Sequence, residues 1–394
     1  MPASRPWFTR EGLRHLDAVL TQFIEAGSHP SIVSLLTRND QQHVTIVGST
    51  GFDTAVPLPR DAIFRQSSTT KPITAVAMMI LVDDGVLALD AAVDRFLPEL
   101  ANRDVLRAPA DPLDDTVSAD RAITLQDLLT FRFGLGMIAD GSPIARAMHE
   151  ARVGTGMPDV AGHLPADEWL ANLGTLPLAY QPGETWLYHT AAEVLGILIA
   201  RASGQPFDRF MQERIFDPLG MVDTGFHVPA GKRDRLTDAY MPDANGRPIV
   251  WDPAAASAYA SPPTFCNGAD GLVSTLDDYQ RFASMMLNGG VHDGQRIISA
   301  ASHARMVTNH LTQAQIANAA PMLDGKGWGY GQAVDGAGND HPGRYGWAGG
   351  MGTYWFNDPA RNLTMTLMTP VAFFSAAGAR LIAEWEQAVY MALE

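Results

Sequence analysis

The most informative stretch of the sequence is Phe64-Arg65-Gln66-Ser67-Ser68-Thr69-Thr70-Lys71-Pro72, which leads from a β-rich region into a long apolar run. Proline has no backbone N–H to donate, so it is tolerated mainly in the first turn of a helix. Pro72 therefore predicts that a helix begins here, with Ser68 at its N-terminus. Lys71 follows Ser68 by three residues, which places both side chains on nearly the same helix face.

This pair has a chemical use, because a serine hydroxyl is a weak nucleophile until a neighbouring base removes its proton. Lysine can be that base when apolar neighbours lower its pKa, whereas arginine stays charged. The chain has 25 arginines but only three lysines, Lys71, Lys232 and Lys326, so a lysine at this position is informative. A helix-capping serine followed by a lysine that reaches solvent gives the same pattern. The pair alone leaves both interpretations open.

The composition is that of an acidic globular protein. The 394 residues carry 28 Lys+Arg against 43 Asp+Glu, a net charge of −15, and 46% of them are hydrophobic, enough for a sizeable core. The longest basic run is the pair Lys232-Arg233, so we expect no nucleic-acid partner. Cys266 is the single cysteine, which excludes an internal disulfide and a cysteine-rich metal site.

Two further absences guide the expectations about location. Residues 1–12 contain no apolar segment of the kind found in secretory signals. The longest apolar run is about half of the ~20 residues that a membrane-spanning helix needs. We therefore expect a cytoplasmic protein without a membrane partner, and the oligomeric state stays open.

The periodicity predicts strands near both chain ends and helices between them. Residues 31–37 and 43–48 read as a β-hairpin, and residues 352–356 and 363–368 as further strands. Helical patterns cover residues 9–26, 71–82, 276–287 and 379–393. We therefore predict an α/β (α+β) fold in which residues 1–88 and 251–394 build one sheet domain. Residues 89–250 form an inserted helical lobe.

Six stretches occur in order along the chain, at residues 68–74, 123–130, 182–188, 218–221, 270–275 and 277–279. Together they resemble the serine β-lactamase-related family, which contains class C β-lactamases, D-alanyl-D-alanine carboxypeptidases and, most similar of these, the family VIII carboxylesterases. The resemblance covers most of the chain. It implies a β-lactamase/transpeptidase-like fold, an antiparallel sheet flanked by helices with an inserted helical lobe.

The resemblance also implies the site residues. Ser68 is the nucleophile, Lys71 the base, and Tyr188 a second proton-handling group that could become a phenolate or share a proton with Lys71. The backbone N–H groups of Ser68 and Gly350 would form the oxyanion hole. Five residues are expected to bind substrate: Trp347, Gly349, Thr190, Phe131 and Tyr345.

Two departures from the family pattern indicate the substrate. Trp347 stands where a lysine that holds a substrate carboxylate is usual, and Thr190 stands where lactam-cleaving members carry an asparagine. An apolar ester then fits better than a penicillin-like substrate. We therefore expect a carboxylesterase that forms an acyl-enzyme and acts on a small-molecule ester with a short to medium acyl or aryl group, without metal or cofactor.

Several alternatives remain. The same residues could serve an acyltransferase, or a weak β-lactamase or D-amino-acid peptidase activity. A binding protein that has lost catalysis is disfavoured because Ser68, Lys71 and Tyr188 are all present. No G-x-S-x-G stretch occurs, which argues against an α/β-hydrolase. His189 could offer a serine–histidine route, but one position beyond Tyr188 it is expected to point elsewhere.

Overall fold

The computed structural model describes residues 7–154 and 162–393. The strands are β1 (Ser31–Arg38), β2 (Gln41–Gly48), β3 (Phe64–Arg65), β4 (Asp104–Leu106), β5 (Thr116–Ser118), β6 (Ala239–Pro242), β7 (Pro248–Asp252), β8 (Val273–Ser274), β9 (Val291–His292), β10 (Gln295–Arg296), β11 (Gly327–Trp328), β12 (Ala333–Val334), β13 (Tyr345–Gly349), β14 (Thr353–Asp358) and β15 (Leu363–Met368). The helices are α1 (Arg10–Glu25), α2 (Thr70–Asp83), α3 (Leu125–Leu129), α4 (Pro143–Glu150), α5 (Ala166–Gly174), α6 (Thr190–Ser203), α7 (Phe207–Met211), α8 (Asp217–Leu219), α9 (Leu276–Leu287), α10 (Ala300–Met306), α11 (Gln313–Asn318), α12 (Ala320–Leu323) and α13 (Ala376–Met391).

A seven-stranded antiparallel sheet organises the molecule, in the order β11-β12-β13-β14-β15-β1-β2. The predicted hairpin is confirmed as β1 and β2, and β1 also pairs with β15, with Leu35 opposite Thr366. Distant parts of the chain thus meet in the centre of the sheet. The predicted combination of an antiparallel sheet with flanking helices is confirmed.

Helices cover both faces of this sheet. On the outer face α1 and α13 bury Leu16, Leu20 and Trp385 against the strands, and the N–H of Thr9 donates to the carbonyl of Ala392. On the inner face lie α2 and α9. Residues 70–81 of α2 are all buried, which explains why its sequence is apolar on every side rather than striped.

Helix α6 packs against α2 on the inner side of the sheet, and α3, α5 and α7 pack against α6. All seven strands of the large sheet come from residues outside 89–250. The division into a sheet domain and a helical lobe at residues 88 and 251 stays a prediction. None of the helices in residues 7–154 and 162–393 combines the length and apolarity needed to cross a membrane.

Candidate active site

Ser68 lies in a tight turn that feeds directly into α2. Residues Ser67–Thr69 form a 3₁₀ turn, and the next residue begins the helix, as the position of Pro72 predicted. Ser67 has φ of +47°, a left-handed conformation that a residue with a side chain adopts at a cost. Such strain is typical of sites where a turn presents a reactive side chain.

Lys71 contacts Ser68 from the first turn of the helix. Its Nζ lies 3.0 Å from Oγ of Ser68 and donates to the carbonyl of Ala269 at 2.8 Å. Burial lowers the pKa of Lys71 to about 7, although the nearby Asp270 and Glu193 favour its charged form. A substantial fraction of this amine is therefore neutral near pH 7. The capping-only interpretation of the pair is wrong, because the lysine does not reach solvent.

Tyr188 lies on the other side of the same pocket. Its hydroxyl accepts a hydrogen bond of 2.6 Å from Nε1 of Trp347, and Nζ of Lys71 lies 4.6 Å from the centroid of its ring. Burial raises the pKa of Tyr188, and hydrogen bonds with Ser68 and Trp347 only partly oppose this rise. Burial thus favours the neutral phenol, which suits the predicted sharing of a proton with Lys71 better than the predicted phenolate. It can still accept and donate a proton.

The oxyanion-hole candidates are brought together by the hairpin between β13 and β14. The N–H of Gly352 donates to the carbonyl of Gly349 and closes a four-residue turn. Gly350 is the second residue of this turn, and the turn leaves its N–H without a hydrogen bond of its own. The hydroxyl of Thr353 donates to the carbonyl of Gln66 at 2.8 Å, which fastens this hairpin to the nucleophile turn. Ser68 and Gly350 line the same cavity.

Gly349 was expected to bind substrate, but the structure gives it a packing role. A Cβ at this position would clash with the carbonyl oxygen of Gln66 and the hydroxyl of Thr353. The glycine therefore allows the strand to approach the nucleophile turn, and it does not line the cavity.

His189 was not expected at the site, and the structure corrects this. Its φ of +80° and ψ of −69°, with the N–H of Thr190 donating to the carbonyl of Tyr188 at 3.2 Å, define a γ-turn of the rare positive-φ kind. This turn directs two consecutive side chains toward Lys71, and Nδ1 of His189 lies 3.4 Å from Nζ. Alternation along an extended chain would have sent them apart.

Two buried carboxyl groups complete this cluster. Nε2 of His189 lies 3.9 Å from a carboxyl oxygen of Glu193 and 3.9 Å from one of Asp270. Burial raises the pKa of both carboxyl groups and lowers the pKa of His189 well below its usual value. Sequence reasoning missed Glu193 as a site neighbour. The spacing of four residues between His189 and Glu193 was the available signal.

Of the other four residues expected to bind substrate, one lines the cavity and three are buried in the interior. Trp347 lines the cavity as predicted. Phe131, Thr190 and Tyr345 do not, because each is packed in the interior at 1% exposure or less. Phe131 supports the rings of Trp186 and Tyr188 from behind, and the hydroxyl of Tyr345 donates to the carbonyl of Met286.

The cavity in front of Ser68 has a volume of about 770 Å³, which is in the range of pockets for drug-sized ligands. Sequence reasoning missed most of its walls. They are Met137, Asp270, residues 321–324, Lys326, Arg344, Ala348, Tyr354, Phe356, Phe373, Phe374, Ala379, Ile382, Ala383 and Glu386. Within the described ranges, no cluster of three or more His, Cys, Asp or Glu side chains is arranged to hold a metal ion.

Comparisons with known proteins identify the family of this chain. A family model described as Beta-lactamase matches residues 16–385. Protein Rv1367c of Mycobacterium tuberculosis (strain ATCC 25618 / H37Rv) is 38% identical over 362 residues, 88% of this chain and 87% of the relative. Esterase EstB of Burkholderia gladioli is 29% identical, covering 93% of each chain. A solved structure described as EstCE1, a hydrolase with promiscuous acyltransferase activity, has a TM-score of 0.78 at 25% identity, covering 96% of this chain and 99% of the other.

Proposed function

This chain belongs to the beta-lactamase family of serine hydrolases, and we propose that its own reaction is the hydrolysis of uncharged carboxylic esters through an acyl-enzyme on Ser68. The observation that carries the proposal is the 3.0 Å contact between Nζ of the buried Lys71 and Oγ of Ser68. The similarity to Esterase EstB supports the choice of ester substrates. We include short to medium acyl and aryl esters in the substrate class.

Acylation begins with Ser68. The neutral amine of Lys71 takes the hydroxyl proton while Oγ attacks the ester carbonyl carbon. The negative charge that develops on the carbonyl oxygen is held by the N–H groups of Ser68 and Gly350. Lys71 is then an ammonium, and Tyr188 relays a proton from it to the leaving alcohol. The acyl group remains bonded to Oγ.

Deacylation repeats these steps with water in place of the alcohol. Water loses a proton to the Lys71–Tyr188 pair as its oxygen attacks the acyl carbon, and the proton returns to Oγ when the acid leaves. Tyr188 suits the relay because the hydrogen bond from Trp347 fixes the phenol oxygen and leaves its own proton free to be donated.

An uncharged ester suits the walls of the cavity better than an anionic substrate does. Trp347 offers an indole where a cation would be needed to hold a carboxylate. Two cations line the described cavity, and both have carboxylate partners. Lys326 lies 3.6 Å from Asp324, and Arg344 is bound by Asp335 and Glu386. No unpaired positive charge among the described lining residues is therefore available to a substrate carboxylate.

Active-site labelling tests the proposal. A fluorophosphonate probe should label the purified protein, and Ser68→Ala should abolish the labelling while the melting temperature stays within a few degrees. The matched control is Ser67→Gly, which relieves the positive φ and keeps the nucleophile. Hydrolysis of p-nitrophenyl acetate should follow the labelling. Labelling that persists in Ser68→Ala would refute the assignment.

Acyl transfer is the second candidate, favoured by the similarity to EstCE1, whose description includes promiscuous acyltransferase activity. An alcohol that enters the open cavity could replace water in the second half-reaction. Adding butanol during turnover of p-nitrophenyl acetate and measuring butyl acetate by gas chromatography separates transfer from hydrolysis. A weak β-lactamase or D-amino-acid peptidase activity is a lesser alternative, which a chromogenic cephalosporin and a D-alanyl peptide test directly.

A further inference from the structure

The cavity continues past Ser68 around the edge of strand β13. Strand β12 pairs with β13 only at Tyr345 and Gly346, so the edge from Trp347 onward is free. Trp347 and Ala348 point to opposite faces of the sheet, yet both line the cavity. The space therefore extends from the nucleophile to the outer face of the sheet.

On the outer face this space is a groove between β13–β14 and helix α13. The rings of Tyr354 and Phe356 form its floor, and they stack with centroids 5.0 Å apart. Its helix side is lined by Ala379, Ile382 and Ala383. Two alanines on this helix face leave room that larger side chains would fill.

The mouth and the far end of the groove differ in polarity. Exposed apolar side chains surround the mouth, namely Met137, Met322 and Phe374, the last 58% exposed. The far end is closed by Arg344, which donates to Glu386 at 2.6 Å and lies over the ring of Phe356. Because Arg344 is already paired with carboxylates, it is not available to bind an anionic group of a substrate. The groove therefore suits an apolar group.

From this continuity we propose that the groove is a substrate-binding subsite that takes a medium-length or aryl apolar group of the ester, of about ten non-hydrogen atoms. The proposal rests on the proposed function, because it needs the ester carbonyl at Ser68. It goes further by assigning the binding of the apolar group to β13–β14 and α13.

The test fills the groove without touching the catalytic residues. Ala383→Trp adds an indole on the exposed face of α13, and Met391→Trp adds the same group near the end of that helix, outside the groove. The kcat/KM values are measured for methyl acetate against methyl decanoate, and for ethyl acetate against decyl acetate. The two series vary the acyl and the alcohol part separately.

We expect Ala383→Trp to lower kcat/KM for the long member of one series by about tenfold, and to change the short members of both series by less than about twofold. Met391→Trp should behave as the parent protein. Unchanged long-to-short ratios in both series would overturn the subsite. Failure of the parent protein to hydrolyse any of the four esters would instead count against the proposed function.

A second inference rests on the γ-turn at His189. A neutral lysine amine has two N–H bonds and one lone pair. The carbonyl of Ala269 can only accept, so it takes one N–H of Lys71. Nδ1 of His189, 3.4 Å away, can accept the second. The lone pair then faces Oγ of Ser68, which is the orientation that a general base needs.

The histidine tautomer follows from its other neighbours. Nε2 lies 3.9 Å from a carboxyl oxygen of Glu193 and 3.9 Å from one of Asp270, so a ring proton on Nε2 points toward acidic groups and Nδ1 is left as an acceptor. We infer that His189 is a positioning residue, which orients the Lys71 amine toward Ser68 and stabilises the ammonium after proton transfer. This inference also rests on the proposed function.

Two substitutions separate positioning from a structural role. His189→Asn keeps an acceptor and tolerates positive φ, whereas His189→Leu removes the acceptor. We expect His189→Leu to lower kcat for p-nitrophenyl acetate by about tenfold with little change in KM, and His189→Asn to recover most of the loss. Equal kcat values for the two variants, at equal melting temperatures, would overturn the inference. If the parent protein lacks esterase activity, the proposed function fails first.

Discussion

The two halves of the cavity in front of Ser68 differ in burial and in polarity. The buried half contains Ser68, Lys71, Tyr188 and His189, and each of these side chains is at most 9% exposed and fixed by polar contacts. The groove half contains Phe374, which is 58% exposed, and is lined mainly by apolar groups. Proton transfer requires a desolvated base in a fixed orientation, whereas binding of a variable apolar group requires open surface. Substitutions should therefore change rate and pH dependence in the buried half and selectivity in the groove half.

The largest effect is expected at Lys71. Lys71→Met should lower kcat/KM for p-nitrophenyl acetate by about 10³-fold, because the Ser68 hydroxyl loses its base. Lys71→Arg should do no better, since a guanidinium keeps its proton. Steady-state kinetics with active-site titration provides the measurement. Lys232→Met, which removes a partly exposed lysine that does not line the cavity of Ser68, should stay within about twofold of the parent.

A smaller loss is expected at Tyr188. Tyr188→Phe keeps the aromatic packing but removes the hydroxyl that accepts from Trp347, so the relay to the leaving group is broken. We expect kcat for alkyl esters to fall by about 10²-fold, with little change in melting temperature. If esters of acidic phenols, which leave without a proton, lose as much rate as alkyl esters do, Tyr188 does not serve the leaving group.

The pH profile should respond to Asp270. Lys71 works as a base only when neutral, so kcat/KM should fall below its pKa of about 7. Besides the carbonyl of Ala269, five side chains face this amine, namely Ser68, Tyr188, His189, Glu193 and Asp270. Asp270 favours the charged amine, so Asp270→Asn should lower the pKa of Lys71 and move the acidic limb to lower pH. Asp324→Asn at the exposed rim is the control, and a limb that moves to higher pH would contradict this electrostatic account.

The smallest effect is expected at the rim of the groove. Met322→Ala removes part of an exposed apolar wall of the cavity and should lower kcat/KM for p-nitrophenyl decanoate by about threefold. The acetate should be unaffected, and so should the pH profile of either ester. A change in the pH profile would show that the two halves of the cavity are not independent.

The sequence predicted the buried half of the cavity better than the groove half. Ser68 and Lys71 are three residues apart on one helix, so local geometry was enough to pair them. Tyr188 and Gly350 are distant in the sequence, and only the family resemblance placed them at the site. The groove depends on how α13 lies against β14, a tertiary relationship without a local signal.

Errors arose where a backbone conformation or a packing direction was needed. His189 was expected to point away from the site because its positive φ cannot be read from the residue type. Phe131 and Tyr345 were expected to bind substrate as part of an apolar pocket. The sequence cannot show whether an aromatic residue near a motif faces the cavity or the core. Their burial at 1% exposure or less shows that packing took them into the core.

The pairing of β1 with β15 affects how the protein is made. Residues 31–38 cannot complete their sheet until residues 363–368 have left the ribosome, because β15 is the strand that joins β1 to β14. The hairpin carrying Gly350 belongs to the same late segment. The turn that carries Ser68 therefore emerges long before Gly350, and a chain shortened before β15 would leave an unpaired edge on β1 that invites aggregation. The proposed active site can therefore assemble only after these last strands have been made.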